Sequence, residues 1–325
     1  MVGMHTRRVG HSGLQVSRLG LGTLTWGRDT QPPEARSLLR TFHEAGGTLV
    51  DTAPAYGNGV AEQILGKLIR TDLQRSELVI ATKAGFGVRD GRRVVDTSRG
   101  AMLADLAESL RRLHTDHVDL WQVHAWGEAP LDETLAAMDH AVNSGMARYA
   151  GVSNYVGWQT ARAATWQQAV PGRAPLSSVQ VEYSLLTRRA EIEVLPAARA
   201  HGMGVLPWSP LGRGVLTGKY RTGVPRGSRG AADHFSWFVE PYLEEGKSRA
   251  ITDAVIRAAE GLDLTPAQVS LLWVRDAPGV TAPLLGARTA DQLTELLAVE
   301  EMTLPVEIAS ALDDVSGGPN LARTE

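Results

Sequence analysis

Four side chains in this sequence have the types and spacing that proton chemistry needs: Asp51 in VDTAP, Tyr56 shortly after it, Lys83 in ATKAG, and His124 closing VDLWQVH. A tyrosine with its ordinary pKa of ~10 exchanges protons poorly at neutral pH, and a nearby ammonium favours the phenolate and lowers that value. Lys83 can supply the ammonium, Asp51 can hold it charged and oriented, and His124 can hydrogen-bond the same reacting oxygen. An acid tuned in this way, able to protonate a developing alkoxide, suits carbonyl reduction. A competing use of Lys83, as a Schiff-base nucleophile, needs a desolvated lysine with no close carboxylate. Each of the four alone fits ordinary structural duty, so the argument rests on whether one frame brings them together.

From about residue 17 the chain repeats a short apolar or β-branched run, a polar or glycine-rich link, and a stretch with apolar residues at helical spacing. The runs predict eight strands, at 17–23, 48–53, 78–84, 118–124, 148–154, 178–184, 205–209 and 280–286. Helices are expected to begin near Pro33, Ala61, Arg99, Leu131, Tyr155, Arg189, Ser248 and Ala290, with a further one from Pro266 to Arg275 capped by Thr265. Eight strands alternating with helices predict a closed parallel α/β barrel, (β/α)8, whose active site lies at the C-terminal ends of the strands. Asp51, Lys83 and His124 then close consecutive strands and Tyr56 follows the first of them. An open doubly wound sheet would carry a glycine-rich dinucleotide fingerprint after its first strand, and Thr25 stands where the third glycine should be.

The segment Arg8 to Val16, turning at His11-Ser12-Gly13, reads as an N-terminal hairpin plugging one end of the barrel. After the seventh strand, Gly212 to Lys247 is Gly/Arg-rich and aromatic toward its end, the profile of a long functional loop. No domain boundary stands out, so residues 1–325 are expected to form one domain, with 1–16 as the hairpin and 317–325 as a frayed tail.

Composition narrows the partners. With no cysteine there is no disulfide, thiolate metal site or cysteine nucleophile. His114 and His117 have a spacing seen in metal sites, but no further ligand clusters with them in sequence, and no metal is expected. A net charge of −3 with interleaved signs gives no basic stripe for nucleic acid. Uncharged runs such as Tyr149 to Ala161 fall far short of the ~20 apolar residues of a membrane span, and the first residues lack the apolar stretch of a signal peptide. A cytoplasmic protein, monomeric or homo-oligomeric, acting on a small molecule is expected. Of 33 basic residues only four are lysine, Lys67, Lys83, Lys219 and Lys247, which raises the question of what arginine could not do there.

The sequence resembles the aldo-keto reductases. The motifs that carry the resemblance are LGLGTLTWG from Leu19, VDTAPAYGNGVAE from Val50, ATKAG from Ala81, VDLWQVH from Val118, GVSNY from Gly151, VQVEYSLL from Val179, PWSPLGRGVLTGKY from Pro207 and GARTADQL from Gly286. They span nearly the whole chain in that family's order. The resemblance implies NADP(H) extended across the C-terminal face of the barrel, with Tyr56 as proton donor, Lys83 and Asp51 as its tuning pair and His124 as the substrate-orienting partner. It implies that Ser153, Asn154 and Gln180 hold the nicotinamide carboxamide and that Trp208 stacks on the ring. The tryptophan there resembles the branch that includes the potassium-channel β subunits. Ser209, Pro210, Leu211, Gly212, Gly214 and Lys219 would line the pyrophosphate, and Gly22, Thr23, Gly286 and Glu295 complete the implied cofactor contacts. Arg288 and Gln292 match positions that grip an adenosine 2′-phosphate, and a planar guanidinium suits that dianion, which favours NADPH over NADH.

Two departures stand out: Leu296 follows Glu295 where the family often has asparagine, removing an amide contact to adenine, and Ala125-Trp126 follow His124 in place of the commoner pattern. Trp26, Phe86, Trp126 and Trp237 are expected to wall an aromatic substrate pocket. The expected activity is reduction of an aldehyde or ketone. The alternative is a cofactor-sensing regulatory subunit with slow redox chemistry.

Overall fold

The computed structural model describes residues 3–89, 91–244 and 246–317. The expected tail beyond Gly317 lies outside them. In chain order the elements are β1 (Thr6–Arg8), β2 (Gln15–Ser17), β3 (Gly20–Gly22), α1 (Pro32–Glu44), β4 (Leu49–Asp51), α2 (Val60–Thr71), β5 (Val79–Ala84), β6 (Phe86–Arg89), β7 (Arg92–Val95), α3 (Arg99–Leu113), β8 (Val118–Val123), α4 (Leu131–Asn143), β9 (Ala147–Ser153) and α5 (Gly157–Gln168). They continue with β10 (Leu176–Glu182), α6 (Val194–Ala200), β11 (Gly204–Trp208), α7 (Ser236–Glu244), α8 (Gly246–Leu262), α9 (Pro266–Arg275), β12 (Leu284–Leu285), α10 (Ala290–Leu297) and α11 (Val306–Ser316).

Eight strands pair in parallel in the order β11-β10-β9-β8-β5-β4-β3-β12. A bridge from Val205 to Val280 brings the two ends of this sheet together, supported by the Thr281 amide donating to the Val205 carbonyl at 2.8 Å. The fold is therefore a (β/α)8 barrel, and the eight predicted strand segments are its staves. These strands read clearly in sequence because a parallel strand is covered on both faces and becomes a near-continuous apolar run. The helices present one apolar stripe to the sheet: α1 buries Ala35, Leu38, Leu39 and Phe42. Thr265 and Gln268 form the reciprocal cap that starts α9.

Antiparallel β1 and β2 form the expected hairpin. Its Val9, Leu14 and Val16 pack with the inward-facing Leu49, Ala81, Leu120, Leu206, Ala282 and Leu284, filling the barrel end opposite the C-terminal strand ends. Four features differ from the sequence expectation. The helix near Arg189 is a single 3-10 turn followed by the short α6. The segment 212–247 carries helix α7 in addition to 3-10 turns, and α8 begins at Gly246. A second hairpin, β6 with β7, stands on the barrel mouth after β5, and α11 closes the described chain. Among the described residues no helix is long and apolar enough to cross a membrane.

Candidate active site

Parallel pairing of β4 with β5 sets Asp51 beside Ala81. Lys83, two residues further along β5, points to the same inner face. Its ammonium lies 2.7 and 2.9 Å from the two Asp51 carboxylate oxygens, 3.0 Å from the Thr52 carbonyl oxygen and 3.1 Å from the Tyr56 hydroxyl. Tyr56 is delivered by a 3-10 turn in which Gly57, Asn58 and Gly59 have φ of 56°, 53° and 87°. The left-handed backbone folds the chain back sharply so that α2 can start at once. His124 follows β8, and its ring packs 5.1 Å from Phe86 and edge-on to Tyr56 at 6.1 Å. The close carboxylate on Lys83 counts against a Schiff-base role.

Neighbouring strand ends lock this group. The Gln180 side-chain amide donates to Asp51 Oδ1 at 2.8 Å. Asn154 donates to the His124 carbonyl at 3.0 Å and accepts from Trp208 Nε1 at 3.0 Å. The Thr23 hydroxyl donates to the Asp51 carbonyl at 3.1 Å, and its backbone N–H donates to the same carbonyl at 3.0 Å, so this buried residue is spent on the barrel.

The protonation states follow from burial and charge. Burial raises the Tyr56 phenol above its usual value and outweighs the downward pull of Lys83, while Asp51 adds to the rise. The sequence expectation of a lowered value is thus corrected: Lys83 acts in the expected direction, but burial wins, and Tyr56 is a neutral phenol at neutral pH. Burial alone would lower Lys83, and the opposing effects of Asp51 and Tyr56 carry it above its usual value. His124 is held well below the ordinary imidazole range by burial and by Lys83, so it is neutral. Its Nδ1 is buried without a partner, leaving Nε2 as the accessible nitrogen.

The other half of the mouth is built differently. Four of the six non-glycine residues with positive φ among the described residues, Asn58, Asn154, Ser209 and Arg213, follow barrel strands at this face. Such backbone outliers cluster where a ligand is gripped. Gly212 and Gly214 also have positive φ, and a Cβ on Gly214 would lie 3.0 Å from Lys219 Nζ. Lys219, Arg229 and Arg288 converge here, and none of them pairs with a carboxylate among the described residues. Burial and the proximity of Arg229 and Arg288 lower Lys219, and burial with Arg288 pushes Arg229 down to about 10, which leaves it a cation at neutral pH. Arg288 donates to the Gly227 carbonyl at 2.5 Å, while its Nη2 is buried without a partner. Gln292 accepts from the Arg288 amide at 3.0 Å. Three cations held together with no carboxylate in ion-pair contact among the described residues, Asp29 acting on Arg229 only at longer range, form a site for an anion.

A profile of the aldo/keto reductase family matches residues 18–316, which include every residue of this site. The chain belongs to the aldo/keto reductase family. It is 36% identical over 324 residues to the "Uncharacterized oxidoreductase YrpG" of Bacillus subtilis (strain 168), covering 96% of this chain and 95% of that protein. It is 34% identical over 298 residues to the "Probable voltage-gated potassium channel subunit beta" of Oryza sativa subsp. japonica, covering 90% of each. As an aldo/keto reductase it is an oxidoreductase that uses a nicotinamide cofactor.

This reductase has a surface that fits such a cofactor. Ser153 Oγ is buried with no partner beside Asn154 and Gln180, where a carboxamide can complete it. At the opposite end lies the unpaired cation cluster, joined to the first by the Ser209–Gly214 turn. Pro210 and Gly212 are buried, Gly22 ends β3 and Gly286 follows its paired strand β12, and Glu295 and Gln292 are exposed on α10. Leu296 is buried in the core, so the departure at this position removes a polar contact and adds packing.

The expected pocket walls divide. Phe86 lies on His124, and Trp126 packs on Tyr155 and Trp158 at 5.1 and 5.2 Å. Trp237 is half-exposed on α7, under the Arg93 guanidinium of the second hairpin at 4.1 Å. Trp26 has no exposed surface and belongs to the packed core, so it walls no pocket in this structure. A cavity of about 220 Å³ beside the Tyr56 turn is lined by Pro54, Ala55, Asn58, Phe86, Val88 and Val94. Sequence reasoning missed Arg229; its only signal was the density of arginine in the loop after β11. The same loop is tied across the mouth by His234 to Asp29 at 3.0 Å and by Arg28 over Phe235 at 4.1 Å.

Proposed function

We propose that this protein is an NADPH-dependent reductase of aldehydes or ketones, with Tyr56 as proton donor. The observation that carries the reading is the Tyr56 hydroxyl, 3.1 Å from a buried ammonium that Asp51 holds with both carboxylate oxygens. Tyr56 enters the reaction as a neutral phenol, the form that can give a proton. A substrate oxygen seated between the Tyr56 hydroxyl and His124 Nε2 meets two polar groups. As negative charge grows on that oxygen, the Tyr56 proton moves to it, and the Lys83 ammonium stabilises the phenolate left behind. When bound, a reduced nicotinamide would supply the hydride for the carbonyl carbon. Gln180, Asn154 and Ser153 would orient the carboxamide and Trp208 the ring. Gln180 also touches Asp51, which couples cofactor placement to the proton donor.

Arg229 and Arg288 favour NADPH, because a 2′-phosphate supplies an anion for them that NADH does not, whereas Lys219, expected against the pyrophosphate, serves both cofactors. The similarity to a potassium-channel subunit supports a second reading, a regulatory protein in which redox chemistry is slow and a partner reads the cofactor. Oxidation of NADPH and of NADH with aldehydes, ketones, quinones and keto-sugars separates the two. Sustained turnover with NADPH supports the reductase, and a single slow turnover with every carbonyl supports the regulator.

A further inference from the structure

Behind the catalytic pair, on the outer side of the barrel wall, lies an ion pair that the chemistry above does not use. The Glu62 carboxylate, with no exposed surface, accepts from the Thr82 hydroxyl at 2.6 Å through Oε1 and from Arg112 Nε at 2.7 Å through Oε2. Glu62 stands in the first turn of α2, which begins where the Tyr56 turn ends. Thr82 precedes Lys83 on β5 and faces outward where Lys83 faces inward. One carboxylate therefore ties the base of the turn that delivers Tyr56 to the back of the strand that delivers Lys83.

Arg112, from α3, completes the arrangement. A Cβ on Gly59 would lie 2.8 Å from Arg112 Cδ and 2.9 Å from its Nε, so the arginine stem runs directly beneath the last residue of the Tyr56 turn. That turn is a run of three left-handed residues, a conformation that persists only where surrounding structure over-determines it. On the inner side the turn is held by the Tyr56 hydroxyl, 3.1 Å from Lys83, and by the Tyr56 amide, which donates to the Ala53 carbonyl at 3.0 Å. A surface ion pair would contribute little, but a fully buried carboxylate needs both partners and holds its geometry tightly.

We propose that Glu62, through Thr82 and Arg112, is a positioning residue that sets the separation between the Tyr56 hydroxyl and the Lys83 ammonium. The proposal rests on the reading of Tyr56 as proton donor. It assigns no contact with substrate or cofactor to the brace: loosening it lengthens the Tyr56–Lys83 contact and weakens the acid while leaving cofactor binding intact.

Thr82→Val removes one hydroxyl at constant shape from a buried strand position that favours β-branched residues. In the full-length enzyme with NADPH, kcat is expected to fall about tenfold, the scale of one buried hydrogen bond to a charged group. KM for the carbonyl and Kd for NADPH should stay within about twofold of the wild type, since neither ligand meets the brace. In ¹³C-tyrosine NMR, Tyr56 should titrate at higher pH in the variant, because it loses part of the pull of Lys83. Thr82→Ser, which keeps the hydroxyl, should restore both readouts. If Thr82→Val does not fold, Arg112→Lys, which keeps the charge but alters the stem under Gly59, is expected to move both readouts in the same direction. A folded Thr82→Val that merely melts earlier, with wild-type kcat and an unmoved Tyr56 titration, overturns the proposal. Tyr56→Phe in the same assay separates the two ideas: retained turnover there removes the proton-donor reading, while the Tyr56 titration still decides whether the brace sets the surroundings of the phenol.

Discussion

The two halves of the barrel mouth handle charge in opposite ways. At the ends of β4 and β5, Lys83 is paired with both oxygens of Asp51, and Asp51 in turn accepts from Gln180. Beyond β11 and β12, Lys219, Arg229 and Arg288 face one another with no carboxylate in ion-pair contact among the described residues, and burial together with their proximity lowers Lys219 and Arg229. The first half is complete before any ligand arrives, which is what the proposed proton donor for a neutral carbonyl requires. The second stores repulsion that an anion relieves, which is the state of a binding site. The lysine scarcity fits this division: two of the four lysines stand one in each half, while Lys67 and Lys247 have no role in either.

Opposite responses to charge removal test that division most strongly. Asp51→Asn leaves Lys83 buried without a counter-ion and should cost about 3–5 kcal/mol of folding stability, whereas Arg288→Ala should leave the unliganded protein equally or more stable. Thermal unfolding of both without cofactor checks this; a similar loss in the two variants would merge the halves into one structural network.

A smaller effect is expected on cofactor affinity. Arg229→Ala should weaken NADPH by about 10–100-fold, the scale of about 1.5–3 kcal/mol for a charge-assisted contact, and leave NADH within about twofold. Titration by protein fluorescence at two salt concentrations reads both, since added salt should weaken NADPH more than NADH. Equal losses for the two cofactors would place Arg229 against a shared phosphate.

The smallest expected effect is on pH. His124 is neutral with a pKa well below the usual 6.5, so on acidification the unfolded chain takes up this proton first. Its contribution to stability therefore falls as pH drops below 6.5 and is flat above it. For the same reason kcat/KM for a neutral aldehyde should show no break near pH 6.5. A break there that disappears in His124→Gln would mean the imidazole is not shielded as the structure places it.

Much of this division is legible in the chain itself. Asp51, Lys83 and His124 close apolar runs that only a two-sided parallel sheet explains, and strand order then makes them neighbours. Three features were hidden for physical reasons. The direction of the Tyr56 shift is set by burial, which sequence does not display, and Lys83 alone suggested the opposite sign. Arg229 reaches the cluster through the fold of a Gly/Arg-rich loop, where nothing local marks one arginine from another. Trp26 is apolar in the turn after β3, and whether such a residue lines a pocket or fills the core is decided by packing. The second hairpin had a signal, an Asp-Gly pair between apolar runs at 90–91, of the kind that marks a tight turn.

Single-turnover and steady-state kinetics of Tyr56→Phe test the central claim most directly, with NADPH binding measured on the same preparation. The account predicts a fall in kcat of about 10²–10⁴-fold, the range for loss of a positioned general acid, with NADPH Kd within about twofold. Wild-type kcat in a variant that folds and binds NADPH normally would contradict it.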